Sequence, residues 1–253
     1  MKHSLPTLAA CFVLGAIYSG FGEQVVTLAR RTNNCDAIAL DATHVYWTEP
    51  GVGIHKVPKV GGDAVSLATI TNAAGAIAVF GNYVYWAESQ YQGYGAIRMA
   101  PVSGGPVLTV ASGATMGAGN GIRGLVVDSS GIYWIEAGSS NASNVGSLRM
   151  LGGVPVTDPV ALANTVPTTL ASNLGNPTGL ASDNGYLYWI EYVYTIPGSG
   201  SVKRVPKSGG PKTTVVTGLG EVSGIAVDKT HAYFGIWNGS VYRVPKGGVR
   251  LRC

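Results

Sequence analysis

The chain has 253 residues, of which 46% are hydrophobic and 12% are charged, with 37 glycines and a formal net charge of +4. Few charges together with many glycines are typical of short strands joined by tight turns and argue against solvated helices. The lysines and arginines are spread along the chain instead of forming a patch, which argues against nucleic-acid binding.

The first 22 residues have the layout of a secretory signal peptide. Lys2 gives a positive start, residues 8–17 form an apolar core, and the small residues Ser19 and Gly20 follow. The apolar core is too short to span a bilayer, and no later segment is apolar for long enough to do so. We therefore expect residues 23–253 to be a secreted protein, in the periplasm or outside the cell.

Two cysteines, Cys35 and Cys253, lie beyond this signal. Export permits a disulfide, and a bridge requires Cα atoms within about 7 Å of one another. Because Cys35 is expected to begin an inner strand while Cys253 ends the chain near an outer one, the pairing is left open.

One sequence pattern then recurs five times along the chain. Its copies occupy residues 35–70, 73–113, 119–172, 176–218 and 221–253. A period of about 45 residues is typical of repeat architectures. The repeat, not any single motif, therefore decides the fold prediction.

Each copy contains four short strand patterns in a fixed order. The first is small and apolar and ends at an aspartate, as in residues 225–228, and the second carries a Tyr-Trp pair, as in residues 187–190. The third carries a basic residue and Val-Pro, as in residues 202–206, and a Gly-Gly turn leads to a Thr/Val-rich fourth strand. Four antiparallel strands repeated radially form a β-propeller blade. The sequence predicts an all-β protein: a single β-propeller of five four-stranded blades.

The two ends of the chain suggest how such a ring closes. Residues 24–29 match the fourth strand of a copy (compare residues 64–68), and no blade precedes them. We expect this N-terminal strand to complete the last blade, which would remove two exposed strand edges. Residues 249–252 compete for the same place, so a fragment of a larger ring is kept as an alternative.

Tyr46-Trp47-Thr48-Glu49 resembles the YWTD repeats of low-density-lipoprotein-receptor-type propellers and their bacterial secreted relatives. Weaker copies begin at Tyr85, Tyr133 and Tyr188, and a basic residue before the next turn also fits the family: Lys56, Arg98, Arg149, Arg204 and Arg243. The resemblance covers nearly all of the chain after the signal and implies the propeller fold. It departs from the family in having Glu for the usual Asp, in five copies where such rings usually have six blades, and in a last copy that has lost the acid.

Four motif glutamates occupy equivalent places around the predicted ring: Glu49, Glu88, Glu136 and Glu191. A cation site or an acid–base pair is one interpretation, but catalytic carboxylates need different environments. We expect instead that each glutamate accepts backbone hydrogen bonds or pairs with a ring arginine. The aspartates that end the first strands should make their own turns: Asp41, Asp128, Asp183 and Asp228.

A binding surface is predicted where the copies differ, at the end that carries the second-to-third loops and the connections between blades. Exposed aromatic rings with neighbouring amides suit a sugar or a peptide. The candidate ligand-binding residues are Asp36, Tyr91, Tyr94, Arg123, Tyr192, Tyr194, Trp237 and Asn238.

Enzymatic signatures are absent from the sequence: there is no Gly-x-Ser-x-Gly elbow, His-Glu-x-x-His or Walker loop. The four histidines, His3, His44, His55 and His231, form no metal cluster by spacing. We therefore expect a non-catalytic module with no catalytic residue, metal site or cofactor, although a cation in the channel is left open. It would be a monomer that binds an extracellular peptide, protein or glycan. A channel-mouth lyase or hydrolase using Asp36, Arg123 and a motif glutamate is the runner-up, and a structural fragment of a larger surface protein is the third alternative.

Overall fold

The computed structural model describes residues 25–30, 33–89, 95–112, 121–137, 146–152, 165–193 and 196–248. Within these ranges the chain forms antiparallel β-sheets and no helix. The same part of the chain contains no helix with the length and apolar character that crossing a membrane requires.

Consecutive strands pair within each sheet, and the sheets are numbered here in chain order. Sheet 1 consists of β1 (Ala37–Leu40), β2 (His44–Glu49), β3 (Gly53–Pro58) and β4 (Val65–Thr69). Sheet 2 consists of β5 (Ala73–Phe80), β6 (Tyr83–Ser89), β7 (Gly95–Pro101) and β8 (Leu108–Ser112). Sheet 3 consists of β9 (Ile122–Asp128), β10 (Gly131–Glu136), β11 (Gly146–Leu151) and β12 (Thr168–Leu174). Sheet 4 consists of β13 (Pro177–Ser182), β14 (Tyr186–Glu191), β15 (Gly200–Pro206) and β16 (Thr213–Leu219). Sheet 5 consists of β17 (Val222–Val227), β18 (His231–Ile236) and β19 (Ser240–Pro245).

The second strand of each inner sheet is apolar on both faces because a neighbouring sheet covers each side. In sheet 2, Tyr85 and Trp86 are adjacent in sequence, point to opposite faces, and are both fully buried. Trp86 packs against Tyr46 and Ile54 of sheet 1, whereas Tyr85 packs against Trp134 of sheet 3. We call the face that carries the tryptophan the leading face and the face that carries the tyrosine the trailing face.

The same tyrosine-to-tryptophan contact joins the remaining sheets. Tyr133 of sheet 3 shares a buried cluster with Trp189 of sheet 4, and Tyr188 of sheet 4 shares one with Phe234 of sheet 5. The first strands β1, β5, β9, β13 and β17 follow one another side by side. Each sheet therefore stacks its trailing face on the leading face of the next. This all-β arrangement of repeated, blade-like sheets is consistent with a β-propeller-like fold.

Sheet 5 differs from the prediction of four strands in every blade, since it has three strands in the described residues. Residues 24–29 were expected to supply its fourth strand, and the described part of that segment, residues 25–29, forms no strand. Val26 and its neighbours instead line a pocket with Val45, Trp47 and Val57, on the leading face of sheet 1. Ring closure by this segment is therefore not observed in the part of the chain that the structure describes. Cys35 is exposed and not bridged, and Cys253 lies outside the described residues.

Candidate binding face

A buried set of three polar side chains lies near one end of sheets 2, 3 and 4. In each sheet the indole Nε1 of the motif tryptophan donates to Oε1 of the glutamate two residues later, over 2.8, 2.9 and 2.9 Å. The other carboxylate oxygen faces a cation on the third strand, at 3.0, 3.6 and 2.6 Å. The sets are Trp86–Glu88–Arg98, Trp134–Glu136–Arg149 and Trp189–Glu191–Lys203.

The two end sheets carry variants of this set. In sheet 1, Glu49 lies 3.3 Å from Nε2 of His55, and both side chains are buried. In sheet 5, all three positions differ. Phe234 replaces the tryptophan, Tyr242 replaces the cation, and their ring centroids lie 5.9 Å apart in a stacked arrangement, while Ile236 replaces the acid. Each copy therefore fills the three positions with a matched set, either a carboxylate with its donors or a group of largely apolar side chains.

The third-strand partner differs from the sequence-based expectation in three copies. Lys56, Arg204 and Arg243 lie opposite the motif tyrosines, and so on the trailing face. A shift of one residue along a strand moves a side chain to the other face. Lys56 Nζ instead donates to the main-chain oxygen of Val102 over 2.6 Å, and the Arg204 guanidinium lies 4.5 Å from the ring centroid of Tyr186. Arg98 and Arg149 are the two basic residues that pair with a glutamate as expected.

The surroundings of Glu136 show why the motif glutamates suit a structural role. Its burial raises the pKa of the carboxyl above its usual range, although hydrogen bonds from Trp134 and Ser147 and the nearby Arg149 partly oppose the rise. A displaced pKa is what an acid–base residue would have. However, both oxygens of this carboxylate already face donors of its own sheet. These contacts favour a structural role, in which the carboxylate joins neighbouring strands of its sheet, over a catalytic one.

The aspartates predicted to make turns do so at the opposite end of the sheets. Oδ1 of Asp183 accepts from the main-chain nitrogens of Gly185 and Tyr186 over 2.9 and 2.8 Å, and Oδ2 accepts from the hydroxyl of Tyr188 over 2.9 Å. Lys246 of sheet 5 adds an ion pair at 2.5 Å. Burial opposes ionisation of Asp183, but Lys246 and these hydrogen bonds together lower its pKa to about 2. Asp41 and Asp228 make the same turns, and Asp128 pairs with Lys207 of the next sheet.

The described members of the predicted binding set lie at the end that carries the motif glutamates, and the structure brings two of them together. Arg123 Nη1 donates to Asn176 Oδ1 over 3.1 Å, and Asn176 Nδ2 donates to the main-chain oxygen of Tyr192 over 3.2 Å. This chain of hydrogen bonds joins the start of β9 to the start and end of the β13–β14 hairpin. Asn176, with φ of 46°, was not among the predicted binding residues, because its link depends on the packing of two sheets.

The remaining predicted residues are placed separately. Trp237 and Asn238 form the exposed turn between β18 and β19, and Asn238 Oδ1 accepts from the main-chain nitrogen of Ser240 over 3.0 Å. Asp36 is exposed just before β1, and its main-chain nitrogen donates to Thr48 over 3.2 Å. Tyr91, Tyr94 and Tyr194 lie outside the described residues.

A polar pocket of about 380 Å³ opens beside Tyr192. It contains the Glu191–Lys203 ion pair together with Ser201 and Thr214. Sequence reasoning missed this pocket, because its walls come from three strands of sheet 4 and from the loop that leaves sheet 3. The signal available in the sequence was the run of hydroxyl residues beside the third-strand lysine.

The described residues contain no group of three or more His, Cys, Asp or Glu side chains placed to hold a metal ion. The motif glutamates Glu88, Glu136 and Glu191 each accept from donors of their own sheet.

The fold and the site define an all-β repeat protein with a polar, partly aromatic end face. A scan against protein-family models and a search of curated proteins found no match. Among solved structures, the computationally designed Ika8 protein matches with a TM-score of 0.57 at 14% identity, covering 86% of this chain and 60% of the Ika8 chain. The designed Ika4 protein matches with a TM-score of 0.48 at 15% identity, covering 73% and 98%. The likeness to Ika8 concerns the fold alone, and this chain spans 60% of the Ika8 length.

Proposed function

We propose that this chain is a secreted, non-catalytic recognition module that binds an extracellular glycan, peptide or protein through the end face described above. The observation that supports this proposal most directly is the exposure of Trp237. Its side chain is 73% exposed, whereas Trp47, Trp86, Trp134 and Trp189 are buried. A large aromatic ring costs free energy when it is left in water, and exposed rings of this kind are typical of ligand contacts.

The polar pocket beside Tyr192 supports a ligand rich in hydroxyl groups. Its ion pair offers both an acceptor, on Glu191, and a donor, on Lys203, within one cavity. A hydroxyl group can donate to the first and accept from the second without carrying a net charge of its own. We therefore place glycans first among the ligand classes, with peptides second.

The family assignment and the location belong to the same proposal. The Tyr-Trp-x-Glu motifs suggest a relative of the YWTD propellers in which the tryptophan and the glutamate form one hydrogen-bonded unit in sheets 2, 3 and 4. Residues 1–22 suggest export, which would place the end face outside the cell. The runner-up, a channel-mouth enzyme, is disfavoured because Arg123 is engaged by Asn176 and the motif glutamates are engaged by their own sheets.

The proposal is tested by screening the purified protein against glycan and peptide arrays and measuring the affinity of each hit by calorimetry. Trp237→Ala should weaken the binding by at least about tenfold, as for an aromatic residue at the centre of a contact. Val60→Ala is the matched control, because Val60 is 96% exposed but lies in the β3–β4 turn at the other end of its sheet. Unchanged affinity in Trp237→Ala would refute the assignment of this face. Conversion of an array ligand into product would favour the enzyme.

A further inference from the structure

The outward surface of sheet 5 is a trailing face on which no other sheet of the described residues packs. Val241 on β19 is 79% exposed, although its side chain occupies the position that Ile54, Ile97, Leu148 and Val202 occupy in the other copies. Those four residues are fully buried, because each is covered by the leading face of the next sheet. Sheet 5 thus presents one half of a contact that the chain makes four times elsewhere.

The outward surface of sheet 1 is the matching half: no sheet of the described residues packs on this leading face, and residues 26–29 line a pocket there with Trp47 and Val57. Ile38 on β1 is 64% exposed, whereas Ile77 and Leu125 in the same position are 8% and 7% exposed. Leu40, two residues later on the same face, is 58% exposed. Apolar side chains at such positions are ordinarily covered.

The charged residues of the two outward faces are complementary as well. Lys207 of sheet 4 pairs with Asp128 of sheet 3, and Lys246 of sheet 5 pairs with Asp183 of sheet 4. The equivalent lysine of sheet 1 is Lys59, which follows Val-Pro in the same way and makes the same main-chain hydrogen bond across its turn. The equivalent aspartate of sheet 5 is Asp228. Neither Lys59 nor the Asp228 carboxylate has an ion-pair partner among the described residues.

The N-terminal segment occupies the neighbourhood of a missing outer strand. Residues 26–29 line a pocket together with Ile38, Trp47 and Val57 of sheet 1. The outer strands β4 and β16 likewise approach the third strands β7 and β19 of the sheets that follow them. No strand of the described residues pairs with the outer edge of β19 in sheet 5, and an added strand satisfies such an edge through main-chain hydrogen bonds.

We propose that the trailing face of sheet 5 in one copy of this protein packs on the leading face of sheet 1 in a second copy, head to tail. In this contact Val241 covers the apolar surface at Ile38, Lys59 pairs with Asp228, and residues 25–30 of the second copy lie along β19 of the first. The partner is a second copy because the two faces are the halves of an interface that the chain itself builds four times. Two copies close a ring if the rotation between them permits, and otherwise the contact propagates to longer assemblies.

Closure within one chain is the competing arrangement. In the structure, Ile38 and Leu40 of sheet 1 and Val241 of sheet 5 are exposed, and the four intervening contacts are closely packed. Bringing the ends together would change the angle at all four contacts, and packed cores resist such deformation. A second copy requires no internal change. The sequence-based expectation of a monomer did not include this, because it assumed that the ring closes on itself.

The test is the solution mass of the purified full chain, of 26.0 kDa, measured by sedimentation velocity over a concentration series. The mass should rise to that of a dimer or a larger assembly. Ile38→Glu and Val241→Glu should each raise the dissociation constant by at least about tenfold, because each places a charge in the buried centre of the contact. Both positions are exposed in the single chain, so circular dichroism should show unchanged folding. Val60→Glu is the control, since Val60 is exposed and its equivalents Ser103 and Ser208 are exposed too.

Mixing the two variants separates the alternatives. The Ile38→Glu copy keeps an intact sheet 5 face and the Val241→Glu copy keeps an intact sheet 1 face, so the mixture should form a one-to-one dimer although each variant alone stays monomeric. A wild-type monomer at all concentrations would overturn the proposal. So would a mixture that stays monomeric, which is the result expected for closure within one chain. Continued association of Val241→Glu alone would point to a contact between two sheet 1 faces and would overturn it as well.

Discussion

Removing the carboxylate of Glu88 should destabilise the fold by about 3 kcal/mol, because a buried donor is left without an acceptor. The indole nitrogen of the fully buried Trp86 would lose its partner at 2.8 Å, and this loss should account for most of the effect. The side chain of Arg98, 30% exposed, would lose its partner at 3.0 Å but can regain water, so its contribution is discounted to about 1 kcal/mol or less. Glu88→Gln, which keeps an acceptor for the indole, should cost about half as much as Glu88→Ala.

Sheet 5 supplies the sharper comparison. Because phenylalanine, isoleucine and tyrosine fill the equivalent positions there, the combined replacement Trp86→Phe, Glu88→Ile and Arg98→Tyr should cost less than Glu88→Ala alone. An apolar set leaves no polar group unpaired. The measurement is the free energy of unfolding from urea titrations followed by circular dichroism, with the exposed Asp63→Ala as control. A combined variant less stable than Glu88→Ala would show that side-chain shape, not polar matching, dominates here.

Four further predictions concern single positions. Tyr85→Phe should leave the free energy of unfolding unchanged or slightly higher, because the buried hydroxyl has no partner among the described residues. Tyr188→Phe should cost about 1 kcal/mol by the same urea titration, because that hydroxyl donates to a carboxylate at 2.9 Å. Gly200→Ala should cost about 2 kcal/mol or more, since its Cβ would lie 2.2 Å from a main-chain oxygen, whereas Gly224→Ala meets nothing within 4 Å and should stay within about 0.5 kcal/mol. The pKa of Asp183 is lowered in the fold to about 2, so its stabilising effect is present above its ordinary pKa of 3.8 and is lost as the pH falls from about 4 to 2. Asp183→Asn should therefore flatten the decline of the thermal midpoint in that pH range, and an unchanged slope would contradict the assignment.

The five-sheet plan could be read from the sequence because each copy repeats its own local signals. Asp183 makes a turn through the two main-chain nitrogens that follow it, which is a property of neighbouring residues. Tyr188 and Trp189 are both buried because strand periodicity sends adjacent side chains to opposite faces of a sheet with neighbours on both sides. Such signals require no knowledge of distant contacts.

The candidate site was predictable only in part, because its geometry depends on how separate copies meet. Arg123 was among the candidate ligand-binding residues, but its partner Asn176 lies 53 residues away, beside the next sheet. The third-strand cation was misplaced in the copies with Lys56 and Arg204, because one residue of register decides which face a side chain takes. Only the strand pairing fixes that register.

Differences between the copies occur in matched sets, because each set spans two strands or two sheets. The second copy has Phe80 where other copies have a turn aspartate, and the third copy has Gly153 where the partner lysine would be, so both members of that ion pair are missing together. Lys59 and Asp228 are both present, yet each lies on an end face where the chain offers no partner. An exposed charge contributes little to folding by itself. An interface between two copies requires both Lys59 and Asp228, together with the exposed Ile38 and Val241. Two surfaces that face only solvent require neither the charges nor the apolar side chains.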